Sequence, residues 1–123
     1  MKLRPEIKAT FELDDHGDPV AIKRGDLNHY RIRLNLENAP EDTYAVTYTL
    51  HESYYEPVRE ARDKANKFEE DLTSYGDFVI QAQVRTREGI ITTTVPLSTA
   101  LAESHDEQIT AKIESALLDI RNK

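Results

Sequence analysis

Apolar and polar side chains alternate along four stretches of this chain, and this pattern constrains the fold more than any other feature of the sequence. The apolar members are Ile7, Ala9, Phe11 and Leu13; Tyr30, Ile32, Leu34 and Leu36; Tyr44, Val46, Tyr48 and Leu50; and Phe78, Ile80, Ala82 and Val84. Successive side chains of a β-strand point to opposite faces, so each stretch predicts a strand with one buried face. The chain is therefore predicted to be mainly β.

Turn-forming residues separate these strands and define shorter ones. The turns are expected at residues 14–19, 24–26, 38–42 and 87–89, and the shorter strands at 20–22, 67–72 and 90–95. The charged stretch at 58–65, which follows Pro57, is expected to contain a helical turn. Several short strands separated by turns predict an immunoglobulin-like antiparallel β-sandwich.

The last quarter of the chain changes to a helical pattern. Residues 97–102 are compatible with a short helix, and a second helix is expected from Ser104 or Asp106 to about Asn122. Its apolar stripe consists of Ile109, Ile113, Ala116, Leu117 and Ile120. We therefore expect a β-sandwich at residues 1–96 and a C-terminal helical extension at 97–123, packed on or beside it. We favour burial of this apolar stripe against the sandwich, and the alternative is that two copies of the chain associate through the stripe.

Charge and composition limit the partners that the chain can have. Its 123 residues fit one compact domain, and its 23 acidic and 16 basic side chains give a net charge of −7. That charge disfavours nucleic acid and would attract a basic peptide, although it equally serves solubility. No apolar run is long enough for a membrane span, and there is no cysteine. We expect a cytoplasmic protein without a membrane contact.

The sequence contains no recognisable catalytic or metal-binding motif. The four histidines, at positions 16, 29, 51 and 105, have no metal-ligand spacing, and no glycine-rich phosphate loop is present. His51 and Ser53 would share one face of a strand, yet no nucleophile elbow accompanies them. We therefore predict no catalytic residue, no metal site and no cofactor, and an enzyme is the last of the hypotheses.

Two motifs carry a resemblance to a known family. Residues 46–58 read Val-Thr-Tyr-Thr-Leu-His-Glu-Ser-Tyr-Tyr-Glu-Pro-Val, and residues 74–78 read Ser-Tyr-Gly-Asp-Phe. They resemble the signature of the YEATS family, in which a strand ends in Leu-His-x-Ser-aromatic and a later loop reads Gly-aromatic-Gly-x-Phe. Residues 30–34, Tyr-x-Ile-x-Leu, are similar to the family's Trp-x-Val-x-Val strand. The similarity spans about residues 27–96 and looks like the prokaryotic branch of the family.

The resemblance implies a fold and a ligand. YEATS domains are immunoglobulin-like sandwiches that read acylated lysine on histone tails, without enzymatic activity. By this resemblance Tyr54 and Tyr75 would be two aromatic walls around the acyl-amide, and Ser53 would hydrogen-bond it. Backbone N–H groups around Tyr75 and Gly76 would meet its carbonyl, and His51 would line the pocket. The implied partner is a protein or peptide that bears an acylated lysine.

Several alternatives remain open at this point. Tyr55 follows Tyr54, so either ring could face the ligand, and Ser74 replaces the family's glycine, which restricts how the loop opens. Tyr54 and Tyr75 could also be ordinary aromatics that plug one end of a sandwich, and His51 an ordinary strand-end residue. The alternative function is a protein–protein adaptor of a bacterial signalling or defence system. It would use the sandwich edge or the C-terminal helix and bind no acyl-lysine.

Overall fold

The computed structural model describes residues 4–106 and 109–122. Within these residues the chain forms eight β-strands and two α-helices. The strands are β1 (Glu6–Phe11), β2 (Ala21–Arg24), β3 (Leu27–Glu37), β4 (Ala45–Thr49), β5 (Val58–Ala61), β6 (Glu70–Ser74), β7 (Val79–Thr86) and β8 (Gly89–Pro96). The helices are α1 (Leu97–Ser104) and α2 (Ala111–Asn122).

The strands form two antiparallel sheets that face each other. In the first sheet β3 is central, with β1 and β2 along one side and β6 along the other. The second sheet has the order β5-β4-β7-β8. The prediction of an immunoglobulin-like antiparallel sandwich is thus confirmed.

The four alternating stretches all form strands whose apolar face is buried. Most of their apolar residues belong to one continuous hydrophobic core. The clear exceptions are Leu13 and Tyr44, which are 42% and 54% exposed because they lie beyond the ends of β1 and β4. Burial of one face therefore decides these strands, as the period of two predicts.

Two predictions between β4 and β7 were wrong. The stretch at 58–65 begins as a strand, since β5 pairs with β4 and only Lys64–Asn66 form a short 3-10 turn. Pairing with β4 outweighs the local preference of charged residues for a helix. The strand expected at 67–72 begins only at Glu70, because Lys67 and Phe68 have left-handed backbones with φ of 60° and 56°.

The two helices share the core with the strands. Helix α1 packs on β1. Helix α2 begins at Ala111, later than expected, and the four predicted stripe residues that it contains are buried: Ile113, Ala116, Leu117 and Ile120. Ile109 is 47% exposed. The Tyr30 hydroxyl of β3 donates a hydrogen bond to the Asp119 carboxylate of α2. Burial and this bond raise the pKa of Tyr30 to about 12. The stripe is therefore covered within the chain.

His105, which follows α1, holds the end of the edge strand β1. Its Nε2 atom accepts a hydrogen bond of 3.0 Å from the Phe11 N–H, and its ring stacks on the Phe11 ring at 5.6 Å. An imidazole that accepts at Nε2 must carry its proton on Nδ1, so it is neutral. Burial lowers the pKa of His105, which agrees with a neutral ring.

We expect this contact to make folding stability depend on pH. An imidazole has a pKa of about 6.5 in an unfolded chain, and the folded value is lower, so the unfolded state binds the proton more readily. The neutral His105 contact therefore contributes to the free energy of unfolding at pH values above the unfolded pKa of His105. This contribution is lost as the pH falls through the folded pKa. At pH 8, His105→Gln should cost about 1 kcal/mol of the free energy of unfolding. Denaturant titrations should show that this cost shrinks at pH 5.5. Equal costs at both pH values would contradict the assignment.

Candidate functional site

Two loops meet at one end of the sandwich. One is the connection at residues 50–57 between β4 and β5, and the other is the connection at 75–78 between β6 and β7. The tip of the β2–β3 hairpin reaches the same end, and the three segments enclose a loop cleft of about 520 Å³. Its lining residues are Arg24, His29, His51, Ser53, Tyr54, Tyr55, Arg59, Thr73, Ser74, Tyr75, Gly76, Asp77 and Phe78. All five residues that the sequence predicted as ligand-binding line this one cleft.

His51 and Ser53 are hydrogen-bonded neighbours at the start of the first loop. The Ser53 N–H donates to His51 Nδ1 at 3.1 Å, and the Ser53 Oγ lies 2.8 Å from the same nitrogen. Because Nδ1 accepts from the backbone, it carries no proton, and the hydroxyl must donate to it as well. The oxygen lone pairs of Ser53 are then available to accept a hydrogen bond. The two side chains meet through a turn after β4, not by sharing a strand face as expected, since the Tyr54 N–H donates to the His51 carbonyl at 3.1 Å.

Tyr54 is fixed in the wall of the loop cleft. Its ring packs edge-on against Phe78 at 5.5 Å, and its hydroxyl donates to the Thr73 carbonyl at 2.6 Å. Burial raises the pKa of Tyr54. The neighbouring ring of Tyr55 is 98% exposed. Of the two adjacent tyrosines, Tyr54 is therefore the one with a defined position.

Tyr75 lies on the second loop and leans on the β2–β3 hairpin. Its ring is 5.1 Å from the imidazole of His29 at an angle of 54°, and the residue is 42% exposed. Tyr54 packs on Phe78 and Tyr75 packs on His29, so each ring has a separate support. Tyr54 is partly buried against the core, whereas Tyr75 is the more exposed of the two.

Ser74, which stands where the YEATS signature has glycine, ties the second loop together. Its buried hydroxyl donates to the Gly76 carbonyl at 2.7 Å and accepts from the Gly76 N–H at 3.3 Å. A side chain that bridges both polar groups of Gly76 holds the loop in one conformation. The Gly76 N–H, which the sequence offered to a ligand, is already engaged by Ser74.

The charged residues of the loop cleft differ in how they are held. Arg59 donates to Glu70 Oε1 at 3.0 Å and to the Glu56 carbonyl at 2.6 Å. The Asp77 carboxylate accepts from the backbone and hydroxyl of Ser98 at 2.9 and 2.7 Å. Arg24 is exposed at the hairpin tip. Two of the three charged residues that line the cleft, Arg59 and Asp77, are thus held by partners within the chain.

Sequence reasoning missed the contribution of the β2–β3 hairpin. Arg24 and His29 line the loop cleft, although Arg24 was assigned only to a turn and His29 was considered only as a metal ligand. The register Ile22↔His29 places the hairpin tip beyond the end of β6, beside Tyr75. The turn residues at 24–26 indicated a hairpin in the sequence. The position of its tip depends on the register between β2 and β3, which no local sequence pattern predicts.

A second, larger cleft of about 1100 Å³ lies at the opposite end of the sandwich. It is lined mainly by the β3–β4 connection at 38–42 and the β7–β8 turn, together with Ile91 and Thr93. Among the residues that the structure describes, no cluster of His, Asp or Glu side chains is suited to hold a metal ion. Neither described helix has the length and apolar character needed to cross a bilayer.

The fold and the loop cleft define a small β-sandwich whose end loops form one binding-sized depression. The family model described as the prokaryotic YEATS domain matches residues 30–98, more than half of the chain. The chain therefore belongs to the prokaryotic YEATS family. Among curated proteins, no sequence matches it significantly.

Solved structures of YEATS domains have the same fold. The crystal structure of the yeast AF-9 homolog Yaf9 matches with a TM-score of 0.55 at 20% identity, over 76% of this chain and 66% of that chain. The Yaf9 YEATS domain recognizing an H3K122suc peptide matches with 0.55 at 19% identity, over 94% and 91%. The Yaf9 YEATS domain bound to H3K27ac matches with 0.53 at 18% identity, over 79% and 75%.

Proposed function

We propose that this chain is a non-enzymatic recognition module that binds an acylated lysine side chain in the loop cleft. The observation that carries the proposal is the position of the Ser53 hydroxyl. It is held by His51 in the cleft that Tyr54 and Tyr75 also line, although the two tyrosines come from separate loops. The volume of about 520 Å³ lies within the range of small-ligand pockets.

The polar groups of the cleft suit a neutral amide. Ser53 Oγ donates to His51, so it can accept the N–H of an acylated lysine. Since Ser74 engages the Gly76 N–H, we assign the contact with the acyl carbonyl to the Tyr75 N–H. Each such hydrogen bond would contribute about 0.5–1.5 kcal/mol. One acceptor and one donor together match the two polar groups of a secondary amide.

The rings of the cleft suit a flat and uncharged group. Each aromatic contact contributes about 0.5–1.5 kcal/mol beyond the area that it buries. Acylation removes the charge of lysine, whereas an unmodified ammonium would lose its hydration on entering. Two tyrosine walls therefore favour the acylated side chain over the free one. The net charge of −7 would attract a basic peptide around the modified residue.

The named ligands of the related structures support the same ligand class. Yaf9 YEATS domains were solved with H3K27ac and with an H3K122suc peptide, an acetylated and a succinylated site. We carry over the acyl-lysine chemistry and not the histone. The cytoplasmic location expected from the sequence remains part of this proposal.

Catalysis by Ser53 is not part of the proposal. A serine nucleophile needs a histidine base that a third group orients, and donors for the developing oxyanion. His51 uses Nδ1 to receive Ser53, and among the hydrogen bonds of the described residues none reaches its Nε2. The pair is better suited to presenting a fixed hydroxyl than to activating it.

The test is a titration of the chain with matched peptides that carry acetyl- or crotonyl-lysine, or free lysine at the same position. Backbone NMR signals of Ser53, Tyr54, Tyr75 and Gly76 should shift with the acylated peptides and not with the free one. Ser53→Ala should weaken binding about three- to tenfold, since one hydrogen bond is lost. Unshifted signals at these four amides with about millimolar acylated peptide would refute the proposal.

One observation favours the adaptor function as a second candidate. The edge of β8 is long, exposed and uncharged, which is typical of a strand that pairs with another chain. The C-terminal helix is less suited to this role, because its apolar stripe is buried. An adaptor would bind its partner equally well when Ser53 is replaced by alanine.

A further inference from the structure

Strand β8 is a long, uncharged edge of the second sheet, and β1 and α1 contact part of it. Its strand partner there is β7, and from Gly89 to Val95 it contains neither a charged residue nor a proline. Ile90 and Ile91 are 60% and 39% exposed. A long, uncharged edge strand presents a row of N–H and C=O groups that another strand can pair with. We propose that β8 pairs with β8 of a second copy of this chain, which joins the two second sheets into one continuous sheet.

The other strand edges of the described residues are protected. Strand β5 has four residues, and its Arg59 forms an ion pair of 3.0 Å with Glu70 of β6, which closes that side of the sandwich. Strand β2 is equally short and carries Lys23 and Arg24. Helix α1 packs on β1, where His105 already receives the Phe11 N–H. Charges, short length and covering elements are the usual ways to block strand pairing. Strand β8 is uncharged and eight residues long, and in the described residues β1 and α1 contact it without forming a strand pair with it.

Charge favours a second copy as the occupant. Two chains that each carry −7 repel each other, and contact through a locally neutral surface adds least to that repulsion. The middle of the outer face around β8 is such a surface, since Thr92 and Thr94 lie beside Gln83 and Gln81 of β7, while Arg85 lies beside Ile90 near the β7–β8 turn. A strongly charged partner would gain nothing from this strip and would be drawn to other surfaces. The neutral strip therefore suits contact between copies.

A two-fold axis at Thr92 gives a self-complementary register. Antiparallel pairing about this residue sets Ile90 opposite Thr94 and Ile91 opposite Thr93 of the other copy. Opposed β-branched side chains stabilise a strand pair relative to opposed alanines. The same patch is used on both copies, so the contact closes as a dimer and does not propagate into a fibre.

The test measures the mass of the full chain by sedimentation equilibrium at total concentrations from about 10 μM to 1 mM. We expect a monomer–dimer equilibrium, with amide hydrogen exchange in residues 89–96 slowing as concentration rises. The double variant T92K/T94K should raise the dimer dissociation constant about fivefold or more, because it sets like charges opposite each other. Mixing it with T92E/T94E should restore a dimer that contains one copy of each.

The matched control is the double variant Q81K/Q83K. It adds the same two charges to the same face of the sheet, one strand away from the edge. It should leave the dimer in place, since these side chains do not oppose the other copy. A monomer at every concentration would overturn the proposal. So would a dimer that Q81K/Q83K weakens as much as T92K/T94K does, or a mixture of the lysine and glutamate variants that does not associate.

Discussion

Replacing Tyr54 with alanine is expected to weaken binding of an acylated lysine peptide at least about tenfold, the largest effect we expect at the loop cleft. The change removes one aromatic wall and also the hydrogen bond of 2.6 Å from its hydroxyl to the Thr73 carbonyl. Titration calorimetry or NMR with the peptides named above measures it. Circular dichroism should show that the variant is folded, because Tyr54 lies outside the fully buried core.

The chain offers a matched control in the next residue. Tyr55 is 98% exposed, so Tyr55→Ala should change the dissociation constant less than about twofold. Tyr54→Phe keeps the ring and its contact with Phe78 but loses the hydroxyl bond, so its effect should be intermediate. If Tyr55→Ala abolished binding and Tyr54→Ala did not, the ring that contacts the ligand would be Tyr55, and the assignment of Tyr54 would be wrong.

Replacing Leu117 with alanine is expected to lower the free energy of unfolding by about 2–5 kcal/mol, the largest effect we expect on stability. Leu117 of α2 is 4% exposed and belongs to the core that the helices share with the strands. Deleting its side chain leaves a cavity that neighbouring groups fill only in part. Chemical denaturation followed by circular dichroism measures the loss.

Leu118 provides the comparison. It is the next residue on α2 and is 49% exposed, so Leu118→Ala should cost no more than about 0.5 kcal/mol. Equal losses for the two leucines would mean that α2 is not packed as described. Removal of the whole helix is expected to unfold the chain, so point variants on its exposed side are the better probes of a partner contact.

The sequence predicted the elements whose burial is periodic. Strands β1, β3, β4 and β7 follow from alternation because one face of each is in the core. Strand β5 could not be read in this way, since it has four residues and exists because β4 pairs with it. The start of β6 was also missed, because the left-handed backbones of Lys67 and Phe68 have no glycine to signal them.

The candidate site was predicted in part for the same physical reason. His51, Ser53, Tyr54, Tyr75 and Gly76 lie in two short motifs, and the pairing of β4 with β7 brings the motifs to one end. His29 and Arg24 enter the loop cleft only through the register of a hairpin. The hydrogen bond between Tyr54 and Thr73 joins residues far apart in sequence and has no local pattern at all.

The hydrogen bond from the Tyr54 hydroxyl to the Thr73 carbonyl bears on how the loop cleft would discriminate between acyl groups. Tyr54 belongs to the loop after β4 of the second sheet, and Thr73 belongs to β6 of the first, so the bond links the two layers across the mouth of the sandwich. One side of the loop cleft is then already ordered in the free protein, so ligand binding loses little conformational entropy there. We expect acyl groups of different size to differ mainly in how fast they leave, since a preset opening admits them at similar rates.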